Sequence, residues 1–473
     1  MSTPVPIQVD YLSGLVREAA VGQFLAPQSS VEFVLNFHFD RISEAQTRKG
    51  TTLLGSQVSG SAIRGMGFFR NNAGTIFAAL ANTGGSVFAY SGTSWSSVRS
   101  GLTATSKARF TNLVDYIFMV NGTDAIRSWS GTGQFGTTNV ASLPSGDLIE
   151  NYRNRIWVAE SSTDKLFYSD VVTTTNTITG GTDFIQISPA DGERIRALKR
   201  HPRALLVFKE NHIYKVFSNT SADPDPSIFR GTYSQESVVE AKDGIYYHHP
   251  TGFYKFIFDG EQEEISRPII DIVQAIPRSS YENIAGWVDD DHVYWAIGDI
   301  TLDGISFQNI EVRWTISTKV WTIYSKPTQI LSSTLYDSGS VLVSILGDES
   351  GNVLQHDIGN TDNGTPIFYD LITHFRYLTE IKDVSKSCTE LSALHENAHG
   401  AQISYQIDSD NQKKTNNTWT PIGQISKDIY EVLSLDAQHF TRIRFRVSGS
   451  SSGVPIIFRG LEILNLVIQS TTK

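Results

Sequence analysis

The sequence predicts an all-β protein built from a six- or seven-bladed β-propeller, with seven blades favoured, and a C-terminal β-sandwich. Pairs of short aromatic strands recur about every 40 to 50 residues, which is the period of propeller blades. Such pairs occur at 155–160 with 165–169, 204–209 with 212–217, 244–248 with 252–256, and 292–297 with 311–315. Gly, Asn, Asp and Ser separate the strands, as expected of tight turns. Beyond residue 362 the strand patterns lengthen and lose this period.

Residues 1–55 are predicted to form an N-terminal arm that includes a ring-closing strand. The apolar spacing over residues 11–20 is that of a short amphipathic helix, and residues 31–39 are typical of a strand. Such a strand could close a propeller ring by pairing with the last blade.

Residues 56–362 are predicted to be the propeller. Blade-like segments start near Ile63, Ala108, Ile149, Ile195, Gly244, Asn283 and Leu331. One four-stranded blade leaves both of its faces apolar, so the blades must pack radially and the ring must close to remove its edges. The aromatic residues of the repeat are therefore expected to hold the blades together.

Residues 363–473 are predicted to be the β-sandwich. Segments 366–372, 401–407, 439–447 and 456–464 alternate between apolar and polar residues, as strands of two packed sheets do.

Composition narrows the class of protein. The single cysteine, Cys388, excludes an intrachain disulfide and a cysteine-based zinc cluster. The first ten residues lack the order of a signal peptide, and no apolar run reaches membrane-spanning length, so we expect a soluble chain that is not secreted and has no membrane segment. A formal charge of −10 argues against tight non-specific nucleic-acid binding, although DNA could still pass close by.

Residues 395–399 match the H-E-x-x-H pattern of zinc proteases. In that pattern His395 and His399 would bind the metal and Glu396 would act as general base. The flanking segments 391–394 and 402–405 are typical of strands, and Gly400 would end a helix. We therefore favour a hairpin loop here and predict neither a metal nor a cofactor, with His395 and His399 kept as the candidate ligands.

Other motifs have simpler interpretations. Residues 131–136 fit G-x-G-x-x-G but precede no helix, and residues 449–453 fit G-x-S-x-G between two strands. Acidic residues at 289–291 and 261–264 could hold calcium or serve a glycosidase, which needs two carboxylates at a fixed separation. Each group lies at a turn, where solvated acids are normal.

Two basic groups remain open to three interpretations: a solvated face with local partners, a contact between subunits, or a contact with DNA phosphate. The first group is Arg442, Arg444 and Arg446, which alternate with apolar residues along one strand, and the second is Arg194, Arg196, Lys199, Arg200 and Arg203.

The order of arm, propeller and sandwich resembles the tail hub or nozzle proteins of short-tailed bacteriophages, also called packaged-DNA stabilisation proteins. Residues 46–52 are similar to the Arg-x-Gly-Thr entry into the first blade of that family. Further similar features are 153–157 with 167–170, and Trp314 with 319–324. The resemblance covers nearly the whole chain.

This resemblance implies a ring, commonly of six copies, that lies below the portal and adaptor proteins and beside tail needle, fibre or spike proteins. It implies a virion tail component, assembled in the host cytoplasm, that retains the DNA genome and later conducts it without sequence recognition. It carries over no catalytic residue and no cofactor. Six chains would bear a charge of about −60, which suits passage of DNA rather than capture.

Two alternatives compete with this structural, non-enzymatic role. One is a propeller glycoside hydrolase, and the other is a glycan-binding protein that recognises a receptor. Aromatic side chains can stack on sugars, but the blade cores need the same side chains.

Overall fold

The computed structural model describes most of the chain. The described residues are 7–9, 14–17, 30–41, 44–74, 77–137, 142–160, 162–172, 178–189, 191–218, 222–224, 230–258, 262–337, 342–379, 384–408, 419–451 and 453–468. Most of the helix predicted over residues 11–20 lies outside these ranges, as does Glu261. Within that segment, Leu15 forms a β-bridge with Val31.

Five short strands come first. They are β1 (Ile7–Val9), β2 (Val31–Leu35), β3 (Phe37–Arg41), β4 (Glu44–Thr47) and β5 (Thr51–Leu53). The strand predicted over 31–39 is thus divided in two at Asn36, whose φ of 61° is a left-handed conformation that Asn tolerates better than most residues.

Seven groups of antiparallel strands follow, each forming a blade, and blades six and seven are parts of one larger sheet. Blade one has β6 (Ile63–Arg70), β7 (Phe77–Thr83), β8 (Ser86–Tyr90) and β9 (Trp95–Arg99); blade two has β10 (Arg109–Leu113), β11 (Tyr116–Val120) and β12 (Arg127–Trp129); blade three has β13 (Leu148–Tyr152), β14 (Arg155–Ala159), β15 (Lys165–Ser169) and β16 (Gly180–Gln186). Blade four has β17 (Ala197–Arg200), β18 (Leu205–Phe208), β19 (Ile213–Val216) and β20 (Ala222–Pro224); blade five has β21 (Val239–Ala241), β22 (Gly244–His249), β23 (Gly252–Phe256) and β24 (Gln262–Glu264). Blade six has β25 (Ala285–Val288), β26 (His292–Leu302), β27 (Ile305–Thr315) and β28 (Val320–Ser325); blade seven has β29 (Ile330–Asp337), β30 (Leu342–Asp348) and β31 (Val353–His356).

The sheets form a closed ring, so the predicted propeller is confirmed with seven blades. The first strand of each blade is innermost, the blades pack one on the next in chain order, and β29 packs against β6 to close the circle. The fourth strand of blade seven is β5, which pairs antiparallel with β31. The N-terminal segment therefore does supply the ring-closing strand, but it is Thr51–Leu53 rather than 31–39.

Apolar clusters lie between consecutive blades. For example, Trp157 of blade three and Tyr214 of blade four share one cluster, whereas Ile245 of blade five and Phe208 of blade four share the next. Most predicted blade starts match within about two residues. The start predicted at Gly244 is the second strand of blade five, whose inner strand begins at Val239.

Helical segments are short. Those in the described part of the chain are the 3₁₀ helices Gln235–Ser237, Arg267–Ile269 and Arg278–Asn283 and the α-helix α1 (Ile270–Ala275), all at the edges of blades five and six. Within the described ranges, no helix combines the length and apolar character needed to span a membrane.

Nine further strands follow in the described residues. They are β32 (Thr361–Asp362), β33 (Thr365–Thr373), β34 (Lys386–Glu396), β35 (Gln402–Asp408), β36 (Thr420–Gln424), β37 (Tyr430–Phe440), β38 (Arg442–Ser451), β39 (Ile457–Ile463) and β40 (Leu466–Ile468). They form the predicted C-terminal β-sandwich, in which one sheet has the order β2-β33-β38-β35-β36 and the other β3-β4-β39-β34-β37.

The N-terminal strands are part of this sandwich. Strand β2 pairs with β33 and also, in parallel, with β28, the outer strand of blade six. The apolar cluster between blades five and six continues without a break into the sandwich core, from Trp295 through Phe33 to Phe445. Propeller and sandwich therefore share both a sheet and a core.

Candidate functional site

The axis of the propeller is crossed by an ion pair. Arg109, on the inner strand of blade two, places its Nε 2.8 Å from one carboxylate oxygen of Glu236 and its Nη2 3.3 Å from the other. Glu236 belongs to the 3₁₀ helix that leads into blade five. Because blades three and four separate these elements around the ring, the bond bridges the channel rather than two neighbouring blades.

Further bonds support this bridge. Arg109 Nη1 donates to the backbone oxygen of Asp147 at 2.7 Å, just before blade three. Lys107 donates to the backbone oxygen of Glu282 at 2.7 Å and lies 3.7 Å from Glu236. One end of the channel is thus tied together by residues of four different parts of the ring.

The charges at the bridge alter each other's ionisation. Burial would raise the pKa of Glu236, but the positive charges of Arg109 and Lys107 lower it to about 2. Burial lowers the pKa of the Lys107 amine, and the charge of Arg109 adds to this effect, whereas Glu236 opposes it. The carboxylate is therefore ionised throughout the neutral range.

The remaining channel is a cavity of about 320 Å³. Its walls are inner strands from around the ring, and they contribute Lys199, Glu240 and three serines of β29 and β30. Lys199 lies 3.6 Å from Glu240, so this wall is also internally neutralised. A second cavity of about 470 Å³ opens beside Arg109 and Asp147.

A second polar cluster lies where arm, propeller and sandwich meet. The guanidinium of Arg48 is 4% exposed and makes five hydrogen bonds, matching its five N–H groups. Two go to the buried carboxylate of Asp362, which it binds with both Nη atoms. The others go to the side-chain oxygen of Asn36 at 2.7 Å and to the backbone oxygens of Ser325 and Lys49 at 2.6 and 3.0 Å.

The Arg-x-Gly-Thr motif is the local cause of this geometry. Arg48 grips Asp362, Thr51 places its hydroxyl 3.4 Å from the same carboxylate, and Gly50 packs directly on the backbone of Thr361. A Cβ at Gly50 would lie 1.9 Å from the oxygen of Thr361, so only glycine fits. The motif that carried the family resemblance therefore clamps the ring-closing strand to the segment that enters the sandwich.

Blade six contributes further buried charges to this junction. Lys326 pairs with Glu311, and both are almost fully buried. Arg313 binds Asp40 of the arm through one nitrogen at 2.7 and 2.9 Å. His356 of blade seven packs its ring 4.7 Å from that of Tyr294 of blade six, so the charges lie at the interface between the last two blades.

The zinc-protease interpretation of residues 395–399 is not supported by the geometry. His395 is buried within strand β34. His399 is exposed in the following turn and lies 2.5 Å from Asp428. Glu396 binds Arg459 at 2.5 Å. No helix presents the two imidazoles on one face, and among the described residues the pair does not belong to any cluster with metal-binding spacing.

The acidic residues at the two turns form hydrogen bonds or ion pairs with nearby side chains. Asp289 accepts hydrogen bonds from His292 and Tyr294, whereas Asp291 binds Lys242 at 2.7 Å. In the other group, Glu263 lies 3.9 Å from Lys319. Both groups lie at turns or outer strands, as the sequence indicated.

In the described residues, neither glycine motif leads into a helix. Residues 131–136 follow blade two, where Trp129 donates to the oxygen of Gly133 and stacks on Phe135. In the second motif, residues 449–451 end strand β38, and Gly453 precedes β39.

The first basic group has local partners. Arg446 binds Asp370 with two nitrogens at 2.9 and 2.8 Å, and Arg444 binds Glu32 at 2.7 Å. The Arg444 guanidinium also lies 4.5 Å from the ring centre of Phe375 and 5.1 Å from that of Trp419. Arg442 lies 5.5 Å from the Phe375 ring.

The residues of the second basic group have different partners and lie in different places. Arg196 pairs with Glu210 at 2.8 Å and Glu282 at 3.0 Å, and Lys199 faces the channel. Arg200, the last residue of the inner strand β17, donates instead to the side-chain oxygen of Asn151 at 2.9 Å.

One cluster in the described residues has the spacing to hold a metal ion: Asp191, Glu193 and His212. Its acids already have cationic or hydrogen-bonding partners. The amine of Lys209, which is fully buried, lies 2.7 Å from Asp191, and His212 lies 3.0 Å from Glu193. We interpret the group as a structural ion-pair cluster of blade four.

No protein-family model matches the chain, and no curated protein matches it. Among solved structures, that of YCF48 bound to D1 peptide is similar, at 12% identity and a TM-score of 0.40, with 68% of this chain and 97% of that chain covered. The seven-bladed ring is defined by this chain's own strand pairing.

Sequence reasoning missed the bridge and the junction charges. Arg109 and Glu236 are 127 residues apart, and nothing local marks them as partners. Arg48 belongs to the Arg-x-Gly-Thr motif, which marks its position in the sequence but does not identify Asp362 as its partner.

Proposed function

We propose that this chain is a structural, non-enzymatic subunit of a bacteriophage tail nozzle, which assembles as a ring, with six copies as the expected number, below a portal and adaptor complex. The junction around Arg48 carries the proposal. There the family-like motif joins ring closure, arm and sandwich through buried bonds.

Such a junction suits a part that bears load. Packaged DNA pushes outward on a nozzle, and a subunit whose two domains could swing apart would transmit that force poorly. Shared strands and a shared core oppose such swinging, because separating the domains would expose β2 and the apolar residues beneath it.

In the proposed assembly, the DNA path does not run along the axis of a single propeller. A duplex cannot pass between Arg109 and Glu236, which lie 2.8 Å apart. The conduit in the proposed assembly is therefore the axis of the ring of subunits, and each propeller is part of its wall.

Imaging tests the proposal. The purified full chain, alone and with its portal and adaptor complex, would be examined by negative-stain electron microscopy and by light scattering coupled to gel filtration. Rings that dock on the adaptor are expected. Monomers that stay apart from that complex at every concentration would refute the proposal, and glycan turnover or glycan binding without assembly would favour the alternatives.

A further inference from the structure

His356 is a buried histidine whose two ring nitrogens have no partner. It is the last residue of β31 and is 8% exposed. Within the described part of the chain, neither its Nδ1 nor its Nε2 takes part in a hydrogen bond. A neutral imidazole carries one N–H donor and one acceptor nitrogen, so both are left unsatisfied. A buried polar group without a partner costs free energy, which makes this position a weak point of the folded chain.

His356 lies where the propeller ring closes. It is directly opposite Thr51 in the antiparallel pair of β31 and β5, the outermost pair of blade seven. We name this pair the closure and define it by Thr51–Leu53 and Val353–His356. Separating its two strands would release the last blade from the N-terminal segment that completes it.

Blade six presents a polar face to His356. Trp287, Tyr294, Arg313 and Thr322 lie opposite one another across its four strands and so share one face of the sheet. The His356 ring meets the ring of Tyr294 edge to face at 4.7 Å and that of Trp287 at 5.6 Å. In the described residues, Trp287 Nε1, Arg313 Nη1 and the Thr322 hydroxyl also lack partners. The imidazole therefore packs on aromatic rings, and no described carboxylate is bonded to it.

The charges around His356 are already matched with one another. Burial lowers the pKa of His356 well below its ordinary value, and the positive charges of Lys326, Arg48, Arg313 and His292 lower it further. A proton on His356 would thus add a cation beside three others. The ion pairs of the surrounding elements are Lys326 with Glu311, Arg48 with Asp362, Arg313 with Asp40, His292 with Asp40 and Asp289, and Lys49 with Asp357, and the buried phenols of Tyr294 and Tyr324 complete the cluster.

We propose that His356 makes the closure a proton-sensitive latch, which is shut while the imidazole is neutral and opens when the imidazole takes up a proton. In the shut state a charged His356 is buried without a counterion, whereas in the open state water solvates it. A histidine whose pKa is lowered in the shut state stabilises that state above its ordinary pKa of about 6.5. That stabilisation is lost as the pH falls below this value. The latch belongs to the single chain and does not depend on assembly.

Several neighbouring groups act against opening or outside the range from pH 7.5 to 5. Burial lowers the pKa of His292, but its bonds to Asp289 and Asp40 raise it overall, so its proton stabilises the shut state. Burial raises the pKa of Asp40 and of Asp289, but hydrogen bonds with His292 lower both, so these carboxylates take up protons only in stronger acid. Burial raises the pKa of Glu311, so a proton there also favours the shut state.

Hydrogen exchange in the full chain at pH 7.5, 6 and 5 tests the latch. The opening constant of the closure is the observed exchange rate of its amides divided by their intrinsic rate at the same pH. Titration of His356 is expected to raise this constant about 30-fold from pH 7.5 to 5, the value for a pKa of about 6.5 in the open state and a far lower one in the shut state.

Two variants remove the proton site in different ways. His356→Phe keeps an aromatic ring against Tyr294, and His356→Gln keeps a polar side chain, so each should lose the rise at the closure. Circular dichroism at pH 7.5 checks their folding, and one folded variant is enough. The matched control is His248→Phe in blade five, because His248 is also fully buried and its ring nitrogens likewise lack partners in the described residues. This control should keep the rise.

Three results would overturn the latch. One is an opening constant of the wild-type closure that does not change with pH. Another is a rise that persists in the His356 variants, which would assign it to a different group, such as the buried pair of Lys326 and Glu311. The third is an opening constant equal to that of the amides of 156–158 in blade three at every pH, which would mean that the whole chain unfolds. Assembly is not measured, so none of these results bears on the proposed function.

Discussion

Removing the guanidinium of Arg48 should loosen the closed ring and its junction with the sandwich. The Arg48→Ala change leaves the carboxylate of Asp362, 5% exposed, without its cation, and deprives Asn36 and the backbone of Ser325 of their donor. Breaking a buried ion pair by removing one partner costs about 3 to 5 kcal/mol. Five hydrogen bonds are lost here, so the upper half of that range is expected.

Two measurements check this value. Urea unfolding gives the overall change in stability, and hydrogen exchange of the amides in 51–53 and 353–356 reports opening where the ring closes. Exchange there is expected to accelerate more than in blade three, which lies far from Arg48.

Two further variants serve as controls for Arg48→Ala. Lys49→Ala removes a neighbouring cation whose partner, Asp357, is 3.0 Å away and about half exposed, so it should cost at most about 0.5 kcal/mol. Arg48→Met with Asp362→Leu removes both charges and should be more stable than Arg48→Ala. If Arg48→Ala costs no more than Lys49→Ala, the reasoning is refuted.

Three further predictions concern the ion pair across the propeller axis, the stability at acidic pH, and Gly50 of the Arg-x-Gly-Thr motif. Glu236→Gln should destabilise the chain by about 2 to 3 kcal/mol, because Arg109 stays charged and loses its counterion; urea unfolding measures this. Acid should also destabilise the chain, because burial lowers the pKa of His248 to about 3 and that of His249 to about 4. Between pH 7.5 and 5 the unfolded chain therefore takes up protons that the folded chain does not, and each histidine should lower the free energy of unfolding by about 2 kcal/mol. Urea unfolding at each pH measures this loss. Gly50→Ala should cost several kcal/mol, roughly 3 or more, because its Cβ would meet a carbonyl oxygen at 1.9 Å, and thermal unfolding tests it.

Each of these has its own check. Glu263→Gln alters an exposed acid 3.9 Å from its partner and should change stability little, so equal costs for both glutamates would contradict the axial bridge. Gly60→Ala meets open space and should be neutral, so a similar loss there would contradict the steric argument. A free energy of unfolding that stays constant from pH 7.5 to 5 would contradict the histidine prediction.

The propeller was predictable because its signal is local and repeated. Each blade contains strand pairs such as 155–159 with 165–169, whose aromatic residues and turns stand close together in sequence. The innermost strand of blade five was harder to locate. It is only three residues long, Val239–Ala241, and too short to show an alternating pattern.

The fusion of arm and sandwich could not be read from the sequence. Strand β2 pairs with β33, more than 300 residues later, and that choice depends on which edges remain open once both domains have formed. The bridge between Arg109 and Glu236 was hidden for the same reason. Charges at inner strands have no periodic signature, and only ring closure brings them together.

Ring closure by β5 has a consequence for synthesis of the chain. The strands from Val31 to Leu53 leave the ribosome early, but their partners β31, β33 and β39 follow only after residue 353. Until then several strand edges stay open and prone to wrong pairing, and such distant partners find one another slowly. The last step of folding is therefore expected to wait for the C-terminal sheets, so an incomplete chain cannot close its propeller ring.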